Sequence, residues 1–312
     1  MTAPQSIDPA SGGAPLGPSA DFQDRRGDSL WRGAFRRLAK SPMAIAGFVI
    51  VICFLAVALA APLLAPYQPA STQWTDLSTP YFVLGHGHGH ALGIDRWGSD
   101  MLTQLIYGAR QSLIIGVVST LIGLCVGSAL GTVAGAFGRA VDAVVMRIVD
   151  VMLSIPSLLL AISIAAVMGK STYALMVAIG AAQIPIFARL LRGSMLSERK
   201  SDYVLAATSL GLRRRTVVMG HMLPNSLGPT IVQATLSLAT AIIDVAALSY
   251  LGLGQSDPAA AEWGRMIVGA QDRFAIAPWL AFYPGVCIAL TALGFTLLGE
   301  SLREALDPKQ RR

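Results

Sequence analysis

The stretch "QSLIIGVVSTLIGLCVGSALGTVAGAFG", residues 111–138, contains no charged side chain. A helix needs roughly 20 apolar residues to cross a lipid bilayer, so this run is long enough to span one. In hydrocarbon every backbone polar group must be hydrogen-bonded within the protein, which a single helix achieves and a single strand does not. The stretch therefore predicts a transmembrane helix over about residues 112–137.

Five further runs in the chain resemble this one. Residues 41–75, 151–169, 171–188, 216–243 and 274–299 also lack Asp, Glu, Lys and Arg. The whole chain is 54% hydrophobic and only 13% charged, about half the charged fraction of an ordinary soluble domain. The sequence predicts an all-α integral membrane protein with six transmembrane helices. They cover about residues 43–64, 112–137, 141–168, 173–191, 226–251 and 278–302.

The distribution of basic residues predicts the orientation of these helices. Nineteen of the 24 Lys and Arg residues fall in segments that alternate to one side, and five fall on the other side. Cytoplasmic loops carry the excess of Lys and Arg, so both termini are predicted to be cytoplasmic. The positive charge thus reflects topology, and no basic patch interleaved with aromatic residues indicates nucleic-acid binding.

The chain divides into five predicted segments. Residues 1–28 form a disordered cytoplasmic tail rich in Pro, Gly and Ser. Residues 29–66 hold an amphipathic lead-in and the first transmembrane helix. Residues 67–110 form an extracytoplasmic segment, near the end of which Asp100 is predicted to cap an amphipathic entry to the second helix. Residues 111–302 form a five-helix core, with a cytoplasmic loop at about 197–224 and an outer loop at about 252–277, and residues 303–312 form a cytoplasmic tail.

Three patterns inside the helices predict local geometry and contacts. Four glycines spaced four residues apart line one face of the second helix, which predicts close approach of another helix; they are Gly123, Gly127, Gly131 and Gly135. Pro156 lies in the middle of the third helix and predicts a kink there. Arg147 and Asp150 are three residues apart on one face, which predicts an ion pair.

The stretch "SERKSDYVLAATSLGLRRRTVVMGHMLPNS", residues 197–226, interrupts the apolar pattern. "SDYVLAATSLG" predicts a short helix capped by Ser201 or Asp202 and ended by Gly211 in a left-handed conformation. Its small apolar face comprises Ala206, Ala207 and Leu210. A second short helix is predicted to stop near Pro224. From the residues alone, the segment is either a helix that docks into a groove of a partner protein or an ordinary solvated loop.

No catalytic motif is present. The sequence has no G-x-S-x-G, no Walker A loop and no H-E-x-x-H, so we expect a non-enzymatic membrane subunit that binds no cofactor. A transporter driven by ATP would therefore use the ATPase of another chain.

Several motifs together resemble a known family. "YVLAATSLG…HMLPN" resembles the EAA loop of bacterial ABC importer permeases, with two alanines, a glycine four residues on and a Leu-Pro twelve further on. "LGIDRWGSDMLTQLIYGARQSL", "RIVDVMLSIPSLLLAI", "ARLLRGSMLSERKSDYV" and "LSYLGLG…PAAAEWGRMI" look like the C-type permease subunit of dipeptide and oligopeptide ABC importers. Leu205 stands where the family usually has Glu, and Val245, next to Asp244, stands where it often has an acidic residue.

The resemblance implies a type I importer permease in the bacterial inner membrane. The implied partners are a B-type permease subunit in a heterodimer, an extracytoplasmic substrate-binding protein, and either one two-domain ATPase or two separate ATPases, which bind ATP and Mg. The implied ATPase-coupling residues are Tyr203, Ala206, Ala207, Gly211, Leu223 and Pro224. The expected residues of the translocation path are Ser154, Gln183 and Asp244.

Alternatives to peptide import remain open at the level of sequence. His86, His88 and His90 alternate in "LGHGHGHAL", which makes a metal site geometrically possible in an extended chain. The same architecture would then import nickel, and haem or glutathione are further possible cargoes. A secondary transporter is a more remote alternative, because it would need internal repeats and paired charges at mid-membrane.

Overall fold

The computed structural model describes residues 36–69, 90–95, 97–255 and 260–306, and the described residues are mostly helical. The α-helices are α1 (Pro42–Leu59), α2 (Ala61–Leu64), α3 (Met101–Ala136), α4 (Arg139–Ser154), α5 (Ser157–Met168), α6 (Thr172–Glu198), α7 (Asp202–Ser209), α8 (Arg214–Val217), α9 (Leu223–Tyr250), α10 (Trp263–Ala270) and α11 (Trp279–Leu306). The histidines His86 and His88 and most of both predicted tails lie outside the described residues.

Six membrane spans can be built from these helices. Helices α1, α3, α6 and α11 are each long and apolar enough to cross a bilayer, as is the continuous segment that ends in α9. The sixth span is the pair α4 and α5, which are bent by 92° at a short break. The predicted all-α membrane fold is therefore confirmed. Helices α3 and α6 pack together at the centre of the fold, and α9, α11 and α1 pack around this pair.

The third predicted helix is broken where we expected only a kink. Helix α4 ends at Ser154, and Ile155 adopts an extended conformation with φ −95° and ψ 129°. Proline has no N–H to donate and sterically disfavours helical geometry in the residue before it. Pro156 therefore ends one helix, and a new one starts at Ser157 in a different direction.

The second predicted helix begins earlier than expected. Helix α3 starts at Met101, about three turns before residue 112. Asp100 caps it as predicted, because its carboxylate accepts a hydrogen bond from the Thr103 amide at 2.7 Å. The prediction relied on runs without charged residues, and Arg110 lies inside the helix. The predicted start was therefore placed too late.

The predicted stop at Pro224 is wrong. The chain runs from α8 through a π-helical turn, Val218–Met222, straight into α9. In this turn the Leu223 amide donates to the carbonyl of Val218, one residue further back than in an α-helix. Pro224 lies directly after this π-helical turn, in the first turn of α9.

The glycine face of α3 lies against α6. A methyl group added at Gly127 would come within 2.5 Å of the Ile184 carbonyl oxygen, and one at Gly131 within 2.6 Å of the Ala188 carbonyl oxygen. Gly123 and Gly135 approach Gln183 and Met195 in the same way. The two backbones are thus in contact along several turns, which no larger residue on this face permits.

The two ends of the bundle differ, and we name them by the short helix each carries. At the α10 end, Trp263 is fully buried and its indole N–H donates to the Leu105 carbonyl at 3.1 Å. Gly108 makes room for the indole ring. At the α7 end, a separate apolar cluster joins the last turns of α3 and α6 to α7 and α8.

Candidate functional site

Helix α7 is a short helix that ends abruptly just before Gly211. Gly211 has φ +76°, a conformation that glycine adopts without strain. The Gly211 amide donates to the Thr208 carbonyl and the Leu212 amide to the Ala207 carbonyl, the pair of bonds of a Schellman motif. The predicted left-handed end is confirmed. Ser201 is the N-cap residue, one of the two predicted, but its hydroxyl donates to the Glu198 carbonyl at 2.6 Å and makes no capping bond to the helix.

The predicted apolar face of α7 is split between two sides of the helix. Ala207 is buried together with Val204, three residues before it. Ala206 is exposed, and Leu210 is 82% exposed. Successive residues are turned by about 100° around a helix, so positions 204 and 207 share one side while 206 and 210 share another.

The buried side of α7 is packed on the ends of the spanning helices. Val204 and Ala207 belong to a cluster that also contains Ala136 at the end of α3 and Leu191 and Met195 on α6. The cluster continues into Val217, Val218 and Met222, with Leu223 half-buried against it. Helix α7 is therefore in direct contact, through this cluster, with the ends of α3 and α6 and with the start of α9.

Polar contacts also join α7 and α8 to the ends of the spanning helices. The Arg214 guanidinium donates to the Ala136 carbonyl at the C-terminus of α3, where a cation is favoured by the helix dipole. The Tyr203 hydroxyl donates to the Glu198 carboxylate and accepts a bond from the Asn225 amide at 3.0 Å. Partial burial and the contact with Glu198 raise the pKa of Tyr203. Pro224, next to Asn225, is exposed.

The outward side of α7 forms an exposed apolar surface. We call the side chains of Leu205, Ala206 and Leu210 the α7 outer face. Leu205 is 54% exposed, so the residue that replaces the family's usual Glu points away from the bundle. A helix whose inner side is anchored and whose outer side is bare and apolar suits insertion into a groove of another protein.

The three expected path residues lie on different helices. The Gln183 side chain on α6 is buried, with its Nε2 atom 3.4 Å from the Ser237 carbonyl. Asp244 is half-buried on α9, beside the fully buried Val245. Ser154 is exposed at the end of α4, and its hydroxyl donates to the Val151 carbonyl at 2.7 Å. No described hydrogen bond joins these residues to one another, and their role in a path stays a prediction.

An exposed ion pair that the sequence did not predict lies near the break between α4 and α5. Asp150 accepts a hydrogen bond from Arg189 on α6 at 2.6 Å, and both side chains are more than half exposed. The predicted Arg147–Asp150 pair is therefore wrong, because Asp150 turns towards α6. A second pair joins Asp142 to Arg192, whose guanidinium donates to both carboxylate oxygens.

Of these four charged residues, Arg189 borders a cavity of about 520 Å³. Its walls include Leu153 on α4, Ile186 and Arg189 on α6, and Gln233 on α9. Charged side chains and non-helical backbone at membrane depth are tolerated only where they meet water or protein. An exposed ion pair beside a break between two helices therefore suits contact with water or with another protein better than contact with lipid.

Of the three candidate metal ligands, only His90 is within the described residues. Its Nδ1 atom lies 2.9 Å from the Asp100 carboxylate, and both side chains are buried. Asp100 is also the cap of α3. Within the described part of the chain no group of three potential ligands is placed to hold a metal ion. The alternating-histidine site stays a prediction, because His86 and His88 lie outside that part.

Family comparisons agree with the motifs. Residues 127–312 match the family described as binding-protein-dependent transport system inner membrane component. Residues 29–80 match the N-terminal transmembrane domain of oligopeptide transport permease C. Together the two matches include most of the spanning helices and all of α7.

Individual proteins are similar over almost the whole chain. The dipeptide transport system permease protein DppC of Alkalihalophilus pseudofirmus is 41% identical, over 91% of both chains. The di/tripeptide transport system permease protein DppC of Pseudomonas aeruginosa is 40% identical, over 88% of this chain and 91% of its own. The glutathione transport system permease protein GsiD of Pectobacterium atrosepticum is 37% identical, over 92% and 94%.

A solved structure has the same fold. It is the inward-facing MetNI methionine ABC transporter, with a TM-score of 0.53 and 20% identity. The match covers 66% of this chain and 98% of the matched chain. At this identity the likeness shows the fold alone, and it confirms the predicted importer-permease architecture.

Proposed function

We propose that this chain, which belongs to the family of binding-protein-dependent transport system inner membrane components, is the C-type permease subunit of a bacterial ATP-driven importer of dipeptides and oligopeptides. Family membership rests on the match over residues 127–312. The peptide substrate is supported by relatives whose names specify dipeptides, tripeptides and oligopeptides. The subunit contributes half of a translocation path and catalyses no reaction itself.

The observation that carries the proposal is the geometry of α7. Its inner side, Val204 and Ala207, is anchored in the spanning helices, while the α7 outer face is bare. This arrangement suits a coupling helix that docks on an ATPase. Either two ATPase chains or one two-domain ATPase bind ATP and Mg, and this chain binds no cofactor. Both termini and α7 then lie in the cytoplasm, as the distribution of basic residues predicts.

ATP acts through two packed states of the complete importer. Closure of the ATPases draws the α7 helices of the two permease subunits together. Because the α7-end cluster holds α3, α6 and α9, their cytoplasmic ends follow α7 and the path changes from inward-facing to outward-facing. ATP supplies the difference in stability between the two states. An extracytoplasmic binding protein delivers the substrate at the α10 end.

The partner on the charged face is a B-type permease subunit. The Asp150–Arg189 pair, the broken span and the neighbouring cavity lie on a surface that does not suit lipid. A second permease subunit placed against this face would enclose an aqueous path between the two chains. Such a path is wide and lined by few charges, which leaves substrate selection mainly to the binding protein.

Uptake into proteoliposomes tests the proposal. The complete importer contains this chain, the neighbouring permease, the ATPases and the binding protein. We expect short peptides to accumulate only when ATP is present on the ATPase side. Nickel or haem accumulation without peptide uptake would keep the architecture and overturn the substrate.

Glutathione is a second candidate substrate, because glutathione permeases are among the similar proteins. It is itself a tripeptide with an unusual linkage, so the same path would accommodate it. Competition between unlabelled glutathione and a labelled dipeptide in the uptake assay separates the two candidates. Complete inhibition by glutathione at low concentration, with weak inhibition by dipeptides, would favour a glutathione importer.

A further inference from the structure

The α10 ends of three spanning helices are joined by a chain of polar side chains. The Thr172 hydroxyl, in the first turn of α6, donates to the Gln255 Oε1 atom at 2.6 Å. The Gln111 Nε2 atom, on α3, donates to the same Thr172 oxygen at 3.5 Å. Gln255 follows the end of α9. These two hydrogen bonds fix the positions of the Gln111 and Gln255 amide groups at the point where the three helices meet.

A cavity of about 360 Å³ lies beside this chain. Its walls include Tyr107, Arg110 and Gln111 from α3, and Gln255 and Ala261 from the segment between α9 and α10. Its volume falls in the range of sites for small molecules, roughly 300–1,000 Å³. The wall thus combines one aromatic ring, two amides and one cation around a space of the size of a small ligand.

Arg110 supplies the cation of this wall. Arg110 is exposed, and within the described residues no carboxylate lies at ion-pair distance from its guanidinium. Arginine stays charged at physiological pH and offers a planar set of N–H donors that matches the two oxygens of a carboxylate. The amide nitrogen of Gln255, whose oxygen is occupied by Thr172, is a further donor at the same wall.

We infer that this cavity binds the C-terminal carboxylate of the transported peptide, with Arg110 as its charge partner. The inference rests on the proposed function, which places the α10 end on the outer side, where substrate arrives. Peptides differ in length and side chains, but linear peptides share a free C-terminal carboxylate. A subsite for that group orients many substrates without selecting among their sequences.

The test compares a dipeptide with its C-terminal amide in the reconstituted importer. Both peptides are supplied at concentrations that saturate the binding protein. Arg110→Gln is expected to lower uptake of the free acid by about tenfold or more, because a hydrogen bond to a charged group is lost. Uptake of the amide is expected to change by less than about twofold, so the acid-to-amide uptake ratio falls by about fivefold or more. Arg110→Lys keeps the charge without the paired donors. Its uptake of the free acid is expected to lie between that of the wild type and that of Arg110→Gln.

Lys170→Gln is the matched control, since Lys170 is an exposed cation near the same end of the bundle, in the turn between α5 and α6, and outside the cavity wall. It is expected to leave the acid-to-amide ratio unchanged. An equal loss for both peptides in Arg110→Gln, with weaker binding of the binding protein, would overturn the inference and assign Arg110 to docking. Unchanged uptake of the acid would also overturn it. If the wild-type importer accumulated neither peptide with ATP, the proposed function itself would fail.

Discussion

The Ser249 hydroxyl donates a hydrogen bond of 2.6 Å to the Glu262 carboxylate. Ser249 lies in the last turn of α9, and Glu262 is the N-cap of α10, where its other oxygen accepts from the Gly264 amide at 2.9 Å. Both side chains are buried. The contact holds α10 on the end of α9, and with it the fully buried Trp263.

The Glu262 contact predicts a pH-dependent stability. Burial raises the pKa of Glu262, and the bonds from Ser249 and Gly264 only partly oppose this. A carboxyl group whose pKa is higher in the folded than in the unfolded protein favours folding most strongly below the unfolded pKa. This contribution is lost as pH rises through the folded pKa. Glu262→Gln keeps the shape and an oxygen that accepts from the Gly264 amide, and its NH2 group can donate to the Ser249 hydroxyl in a bond of reversed direction. Because the amide does not titrate, the variant should flatten the pH dependence.

The measurement is the melting temperature of the detergent-solubilised subunit across roughly pH 4–8. We expect the difference in melting temperature between Glu262→Gln and the wild type to increase with pH, in favour of the variant. Ser249→Ala is the companion variant, since it removes the donor and leaves the carboxyl buried. A constant difference across the range would show that the Glu262 carboxyl is not desolvated.

The contact between α3 and α6 predicts a sharp difference between two glycines. Gly127→Ala places a methyl group against the Ile184 carbonyl and should destabilise the subunit by about 1–3 kcal/mol through overpacking. Gly193→Ala, on α6, meets no atom within 4 Å. It should stabilise the helix slightly, by about 0.5–1 kcal/mol. Thermal unfolding in the same detergent measures both, and equal effects would contradict the close helix contact.

The α7 outer face predicts a coupling defect without a folding defect. Leu210→Glu introduces a charge at an 82% exposed position, so the isolated subunit should keep its melting temperature. Insertion of this face into an ATPase groove would desolvate the new charge, and ATP-driven uptake should fall by about tenfold or more. Leu210→Met conserves apolar volume and should retain uptake. Normal uptake by Leu210→Glu would exclude docking through this face.

The coupling energy of the Asp150–Arg189 ion pair is predicted to depend on whether a second permease subunit is bound. With both side chains more than half exposed in the subunit, a double-mutant cycle of Asp150→Asn and Arg189→Gln should give a coupling of about 0–1 kcal/mol. If a second permease subunit covers this face, the coupling in the complex should exceed about 1.5 kcal/mol, because the pair is desolvated. Unfolding of the subunit and dissociation of the complex give the two values. Equal values would place the pair outside the interface.

Much of this architecture follows from local sequence. Uncharged runs predict membrane spans because the bilayer interior excludes charge over a fixed thickness. The glycine spacing on α3 predicts a close helix contact because residues four apart share a face. Gly211 predicts the end of α7 because few other residues adopt its φ of +76° without strain. Each of these features depends only on residues that are near one another in the chain.

The tertiary structure decided which partners these elements meet. Asp150 pairs with Arg189, 39 positions away, although Arg147 is nearer in sequence. Ala207 is buried and Ala206 exposed because α7 lies on the ends of α3 and α6, which no pattern within α7 specifies. The polar chain at the α10 end joins Gln111 to Thr172 and Thr172 to Gln255. Sequence determined the helices and their ends, since these depend on local backbone chemistry; packing between distant helices determined which side chains are brought together.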